Sequence, residues 1–195
     1  MNIIDEAGVL AISTRLQRLS DAIRKDGIEI YRAHGIKFEP KWFPVIYALH
    51  NKPVLSVVEI AVEIGYSHPS TISLLKELEK EKLIRSKRDK NDERKRLLQL
   101  TDKGKTLVRQ MEPVWQIIVK AVTGLIDTKN NLMQAIVEVE DQLKKKSFSE
   151  RAMALARDYA HENTNDADKV IPKNGSAEHS IFDHHISAIL KLKVQ

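Results

Sequence analysis

Residues 55–104, LSVVEIAVEIGYSHPSTISLLKELEKEKLIRSKRDKNDERKRLLQLTDKG, decide the fold. Ser56 precedes an apolar helical pattern, and Glu59 follows it at the spacing of a capping box. Gly65 marks the end of that helix because glycine readily adopts the left-handed backbone found at helix ends. Ser67 is a good N-cap for a second helix. The stretch therefore opens with a predicted helix-turn-helix unit.

The second helix of this unit has two different faces. Its apolar residues recur at helical spacing, which predicts that one face packs on a core. The residues predicted to point inward are Ile72, Leu75, Leu78 and, just beyond the helix, Leu83. The residues predicted to point outward are Ser70, Ser73, Lys76, Glu77 and Lys80. Hydroxyls and a lysine near a helix N-terminus suit contact with phosphates or base edges, although a solvated polar face gives the same pattern.

A basic ribbon follows the two helices. Short apolar strands are predicted at residues 83–86 and 97–100, on either side of the charged loop 87–96. Residues 82–105 contain ten Lys or Arg and four acidic residues, a local charge of +6, whereas the whole chain carries +5. The net positive charge is therefore concentrated in this ribbon, which favours nucleic acid as a partner. Arg94 near the tip is suited to the negative potential of a DNA minor groove, and Asp92 is close enough in sequence to orient it.

The flanking segments are predicted to be helical. One amphipathic helix is expected over residues 6–33, and a largely apolar helix is expected from Trp42 to Leu49. Thr101 is expected to cap another helix that continues through residues 105–126. Two shorter helices are expected at residues 132–143 and 149–159. Residues 162–178 have the composition of a linker or loose tail, with a short helix over 181–192.

Composition limits the classes of protein that remain. With 195 residues, 42% hydrophobic and 30% charged, the chain has the composition of a globular protein with a core. It has no cysteine, which excludes disulfides and cysteine-ligated zinc. The apolar runs are too short to span a membrane, and the acidic N-terminus does not match a signal peptide, so we expect a cytoplasmic protein. No catalytic constellation or cofactor motif is evident, so we expect neither an enzyme nor a bound cofactor.

Three matches connect the chain to a known family. Leu55-Ser-Val-Val-Glu-Ile-Ala resembles the "L-x-x-x-E-L-A" helix of the MarR family of bacterial transcription regulators. Ser67-His-Pro-Ser-Thr-Ile-Ser resembles the start of that family's recognition helix. Residues 92–104 resemble its "D-x-R-x-x-x-L-x-L-T-x-x-G" wing. The order and spacing of the three motifs make residues 42–104 similar to the family's winged helix-turn-helix domain.

The resemblance implies a mainly α fold and a role in transcription. Residues 39–104 would form the winged helix-turn-helix domain, residues 1–38 and 105–162 a helical dimerisation region, and residues 163–195 a tail. A homodimer would bind a pseudo-palindromic operator in double-stranded DNA, most simply as a ligand-responsive repressor. The expected DNA contacts are Ser67, His68, Ser70, Ser73, Lys76, Arg88, Arg94, Lys95 and Arg96.

Two departures from the family pattern are evident. The family usually has glycine where this chain has Lys82, which would cost about 1 kcal/mol if the position needs a left-handed backbone. It often has a long basic residue where this chain has Ser73, which implies lighter or water-mediated base contacts there.

Three further features have more than one interpretation. Trp42, Tyr47 and Trp115 would line a small-molecule effector pocket by analogy with related regulators, or pack in the core. His179, His184 and His185, close to Asp183, have the residue types of a metal site, but on a tail they are more typical of solvated side chains, and no metal is predicted. The alternative to DNA binding is a helical protein-interaction module that uses the winged helix as a scaffold. An acidic face on the second helix would favour that alternative, and this face is not acidic.

Overall fold

The computed structural model describes residues 2–89, 92 and 95–167, with side chains to residue 160. The chain divides into two compact units, one ending at Thr128 and one beginning at Lys129. The helices and strands, in chain order, are α1 Ile3–Glu6, α2 Ile12–Ala33, α3 Phe43–Asn51, β1 Leu55–Ser56, α4 Val57–Ile64, α5 His68–Lys80, β2 Ile84–Arg88, β3 Arg96–Leu100, α6 Asp102–Ile126, α7 Leu132–Lys145 and α8 Phe148–Ala167. The predicted mainly α, winged helix-turn-helix fold is confirmed.

Local capping signals account for the helix-turn-helix geometry. The Ser56 hydroxyl accepts from the Glu59 amide at 3.2 Å, and the Glu59 carboxylate accepts from the Ser56 amide at 2.7 Å, so the predicted capping box is present. Gly65 adopts a φ of 68° and ends α4. Ser67 then caps α5 through its hydroxyl. These residues fix where both helices begin and where the first one ends.

The sheet forms the wing. Its strand order is β1-β3-β2, with antiparallel pairing throughout. Leu98 faces Leu55 on one side of β3, and Leu100 faces Ile84 on the other. Leu98 is fully buried, so the central strand anchors the wing to the core.

The core of the first unit lies beneath α5. It is built from α3, α4, α5, the sheet, the first half of α6, the end of α2 and the segment that joins α2 to α3. The largest fully buried side chains are Ile46, Leu49, Ile60, Leu75, Leu78, Leu98, Met111, Val45 and Thr71. The inward prediction is confirmed for Leu75, Leu78 and Leu83, whereas Ile72 is only half-buried and Thr71 and Leu74 also point into the core. Thr71 tolerates burial because its hydroxyl donates to the Ser67 carbonyl at 3.0 Å.

The N-terminal helix prediction also needs correction. The expected continuous helix over residues 6–33 is divided into α1, a 3-10 turn at Gly8–Ala11, and α2. Gly8 has a φ of 58°, which is incompatible with a continuous right-handed helix.

The second unit contains α7 and α8. The hydroxyl of Ser147 accepts from the Glu150 amide at 3.3 Å, and the Glu150 carboxylate accepts from the Ser147 amide at 2.8 Å. This capping box starts α8 at Phe148, one residue before the helix start predicted from sequence. The helix extends to Ala167, past the expected start of the tail at 163. His179, His184 and His185 lie outside the described residues.

Lys82 occupies a left-handed position, which is the condition under which its departure from the family pattern was predicted to cost stability. Its φ is 58°, and its amide donates to the Glu79 carbonyl at 2.9 Å in the turn after α5. Because the hydrogen bonds of this turn are made by the backbone, they survive replacement of the side chain. We expect Lys82→Gly to raise the free energy of unfolding by about 0.5–1 kcal/mol, the released strain being partly offset by the greater freedom of glycine in the unfolded chain.

Chemical denaturation would measure this change. Lys80→Gly is the matched control, since it makes the same substitution within right-handed α5 and should lower stability by about 1 kcal/mol. Equal destabilisation by both substitutions would contradict the assignment of strain to Lys82.

Candidate nucleic-acid interface

The N-terminal half of α5 presents a polar, exposed face. His68, Ser70, Ser73 and Lys76 are all exposed, as is the capping residue Ser67. The predicted residues on this helix are therefore brought together on one surface. The Ser67 hydroxyl donates to the Ser70 hydroxyl at 2.9 Å, which pre-orders two of the hydroxyls. The face contains groups that can donate to phosphates or base edges.

The wing lies beside this helix and carries exposed cations. Arg88 ends β2 and Arg96 begins β3, directly opposite each other in the ladder. Beyond them, the Asp89 amide donates to the Lys95 carbonyl at 3.0 Å, which continues the ribbon toward its loop. Arg88 and Lys95 are exposed. Arg94, the residue predicted for the minor groove, lies outside the described residues, as do its neighbours at 90, 91 and 93.

Arg96 differs from the other predicted wing contacts. Its Nη2 lies 2.6 Å and 2.5 Å from the two carboxylate oxygens of Glu79 on α5. The guanidinium is thus bound by a carboxylate of the same chain. Sequence reasoning did not identify Glu79, since residues 79 and 96 are joined only by the fold.

A second acidic residue of α5 is bound on another side of the helix. The Glu77 carboxylate accepts from Lys41 Nζ at 2.7 Å and from Trp42 Nε1 at 2.9 Å. These two hydrogen bonds, that of Lys41 first, hold the pKa of Glu77 below its usual value. The acidic groups in the second half of α5 are therefore neutralised by neighbouring cations and donors, and the helix face stays suited to an anionic partner.

A cavity of about 660 Å³ lies between α2, α3 and α6. Two of the three predicted ligand residues line it: Tyr47 and Trp115 meet edge to face, with ring centroids 5.7 Å apart. Phe43 stacks on Tyr47 at 5.1 Å and completes an aromatic wall. Trp42, the third predicted residue, does not line this cavity. Its ring is only 5% exposed and borders a separate cleft.

Tyr31 is a cavity residue that the sequence did not identify. Its hydroxyl accepts a hydrogen bond from Trp115 Nε1 at 3.1 Å, across 84 positions of the chain. Burial raises the pKa of the Tyr31 phenol, and the bond from Trp115 opposes that rise. A protonated phenol keeps a hydrogen to donate, so the cavity has a polar group within an apolar lining.

Clusters of metal ligands and helices able to cross a membrane are both absent from the described part of the chain. No cluster of three or more candidate metal ligands occurs there. None of the helices in the described ranges combines the length and the apolar character needed to cross a bilayer.

Comparison with known proteins agrees with this geometry. A model of the MarR family matches residues 34–95, the segment that includes α3, α4, α5 and β2. No curated protein matches the chain at a significant level.

Solved structures extend the agreement beyond that segment. The transcriptional repressor CouR, solved on a 23-mer DNA duplex, is 26% identical with a TM-score of 0.54, covering 70% of this chain and 96% of its own. The regulator MosR of M. tuberculosis, solved with DNA, is 16% identical with a TM-score of 0.58, covering 68% and 96% respectively. PcaV of Streptomyces coelicolor, solved with its natural ligand, is 18% identical with a TM-score of 0.54, covering 75% and 99%. At their low identities the last two show a common fold alone. Taken with the α5 face and the wing, the family match over residues 34–95 supports a winged helix-turn-helix regulator of the MarR family.

Proposed function

We propose that this protein is a dimeric transcription regulator that binds a pseudo-palindromic operator in double-stranded DNA. The observation that carries the proposal is the exposed polar face of α5 beside a basic wing on the same folded unit. α5 would enter a major groove while the wing tip reaches the neighbouring minor groove. The proposed contacts are Ser67, His68, Ser70, Ser73, Lys76, Arg88, Arg94 and Lys95. We place this activity in the cytoplasm.

An apolar stripe on α2 supports a dimer. Ile12, Leu16, Leu19 and Ile23 recur at helical spacing, and each is 38–58% exposed. Such a row of exposed aliphatic side chains is costly in water unless another surface covers it. In the proposed dimer, residues 1–38 and 105–162 supply this surface from two copies. Two α5 helices related by a twofold axis then require two related half-sites in the DNA.

The cavity between α2, α3 and α6 is the proposed effector site. Its aromatic wall of Phe43, Tyr47 and Trp115 suits a small apolar molecule with a ring, and Tyr31 supplies a hydrogen-bond donor. A ligand that binds better to one arrangement of the dimer shifts the population toward it. The protein would thereby act as a ligand-responsive repressor, whose occupancy of the operator depends on whether the ligand is bound.

A DNA titration at several salt concentrations tests the proposed function. The duplex should contain the DNA upstream of the gene that encodes this chain. The logarithm of the binding constant should fall linearly with the logarithm of salt concentration, because cations bound to the DNA are released. Negligible affinity even at low salt would contradict DNA binding and favour a protein-interaction module instead.

The same titration tests the wing tip. We expect Arg94→Ala to weaken operator binding by about 1–3 kcal/mol, with the fold intact, because the substitution removes the proposed minor-groove contact. Arg32→Ala is the matched control, since Arg32 is an exposed arginine paired with Glu29 at the end of α2, outside the proposed DNA contacts and not part of the apolar stripe of α2. An Arg94→Ala protein with unchanged affinity would remove the wing tip from the mechanism.

A further inference from the structure

An ion pair joins α5 to the base of the wing. Both carboxylate oxygens of Glu79 lie within 2.6 Å of Arg96 Nη2. Glu79 is in the last third of α5, and Arg96 is the first residue of β3. The Glu79 side chain is only 23% exposed and that of Arg96 is 43% exposed. The contact is therefore partly shielded from water and links two elements that are 17 residues apart.

The position of Arg96 in the sheet explains why it needs a carboxylate. Arg96 pairs with Arg88, and this pair is the last one before the wing loop. Like charges directly opposite each other in an antiparallel ladder are destabilising. Glu79 supplies the negative charge that offsets this repulsion. The end of the ladder, from which the wing tip extends, thus depends on a residue of α5.

A carboxylate on α5 is at first sight unfavourable to DNA binding. Each phosphate repels it, and simple electrostatics predicts that its removal tightens binding. A positioning role for the Glu79 carboxylate that outweighs this repulsion would explain its presence on α5. Glu77, the other acidic residue within α5, is bound by Lys41 and Trp42 and does not contact the wing among the described residues.

We propose that Glu79 is a positioning residue that, through Arg96, fixes the base of the wing against α5 so that both elements reach the duplex together. This inference rests on the proposed function. It also assigns Arg96 a different role from Arg88 and Lys95: its guanidinium holds Glu79, and it is not a phosphate contact.

Operator titrations of Glu79→Gln test the proposal, because the two explanations predict opposite changes in DNA affinity. The substitution removes one negative charge and the ion pair while keeping the size of the side chain. Positioning predicts binding about fivefold weaker than wild type with an unchanged salt slope, whereas electrostatics alone predicts tighter binding. Glu81→Gln is the matched control, because it removes a negative charge just beyond α5, and no ion pair among the described residues involves its carboxylate. We expect affinity equal to or slightly above wild type for the control.

Exchange of the two charges separates positioning from phosphate contact. Arg96→Glu alone should weaken binding, and the double variant Glu79→Arg with Arg96→Glu should recover most of the affinity because the pair is rebuilt in reverse. A double variant as weak as Arg96→Glu would mean that Arg96 contacts DNA itself and would overturn the proposal. Tighter binding by Glu79→Gln would also overturn it.

The stability of each variant is measured by denaturation, so that a loss of fold is not counted as a loss of positioning. Arg96→Lys, which keeps the charge but has a shorter side chain and no planar guanidinium, should fold normally and bind with intermediate affinity. A wild-type protein that fails to bind DNA would overturn the proposed function and this role of Glu79 with it. Wild-type binding combined with a gain of affinity in Glu79→Gln overturns only the positioning role.

Discussion

We expect Gly104→Ala to be among the most destabilising single substitutions in this protein, lowering the free energy of unfolding by about 3 kcal/mol or more. A Cβ at position 104 would lie 2.1 Å from the Leu83 carbonyl oxygen and 3.3 Å from Leu100 Cδ2. The oxygen belongs to the backbone and accepts from the Thr101 amide at 3.0 Å, so it cannot move without breaking that bond. The added methyl group would therefore push the start of α6 away from the turn that joins α5 to the wing.

Denaturant unfolding followed by helical circular dichroism would measure this effect. Gly124→Ala is the control because Gly124 lies in the same helix, with nothing within 4 Å of an added Cβ. It should stabilise the protein slightly, since alanine is the better helix former. A Gly104→Ala protein as stable as Gly124→Ala would show that the close approach at Leu83 is not present in solution.

The parts of the fold that were predictable from sequence depend on neighbouring residues. Ser56 and Glu59 lie three positions apart, and their mutual capping follows from that spacing alone. Gly65 was expected to end a helix, and its φ of 68° shows why glycine is suited there. Short-range geometry of this kind is fixed before any tertiary contact forms.

The errors of the sequence prediction arose where the spacing of apolar residues was used to locate the end of a helix or to choose which residues of a helix are buried. Val9 fits the apolar repeat of the helix that follows, yet it lies in the 3-10 turn after Gly8 and is 87% exposed. A repeat of apolar residues does not show where the backbone leaves the helix. On α5, the pattern assigned Ile72 to the core, where it is only half-buried, and did not identify the buried Thr71. A polar residue is buried there because the backbone of its own helix satisfies its hydroxyl.

The candidate site shows the same division between local and distant information. The exposed face of α5 followed from helical spacing. The contacts that hold the face in place join distant positions: Glu79 with Arg96, and Glu77 with Lys41. Neither partner could be chosen from sequence, since many lysines and arginines lie at comparable distances along the chain. The fold alone selects which cation meets which carboxylate.

Trp42 is the clearest case of a residue whose role changed once its surroundings were known. Its aromatic ring and its place near Tyr47 suggested a ligand pocket, but the ring is 5% exposed and packs edge to face on Phe38 at 5.8 Å. Its Nε1 donates to Glu77 at 2.9 Å. These contacts describe a core residue that also anchors α5, whereas Tyr47 is 47% exposed at the cavity.

We therefore expect Trp42→Ala to lower the free energy of unfolding by about 3–5 kcal/mol, because a buried indole is replaced by a void and Glu77 loses a donor. Tyr47→Ala should cost much less, since half of that side chain already contacts solvent, and Trp42→Phe should fall between the two. Denaturant unfolding of the three variants gives this order directly. If Trp42→Ala cost less than 1 kcal/mol while abolishing the binding of a small aromatic probe such as indole, Trp42 would be a ligand residue after all. A large loss of stability, with indole binding retained by Trp42→Phe and lost in Tyr47→Ala, would place the effector site at the aromatic wall of Phe43, Tyr47 and Trp115.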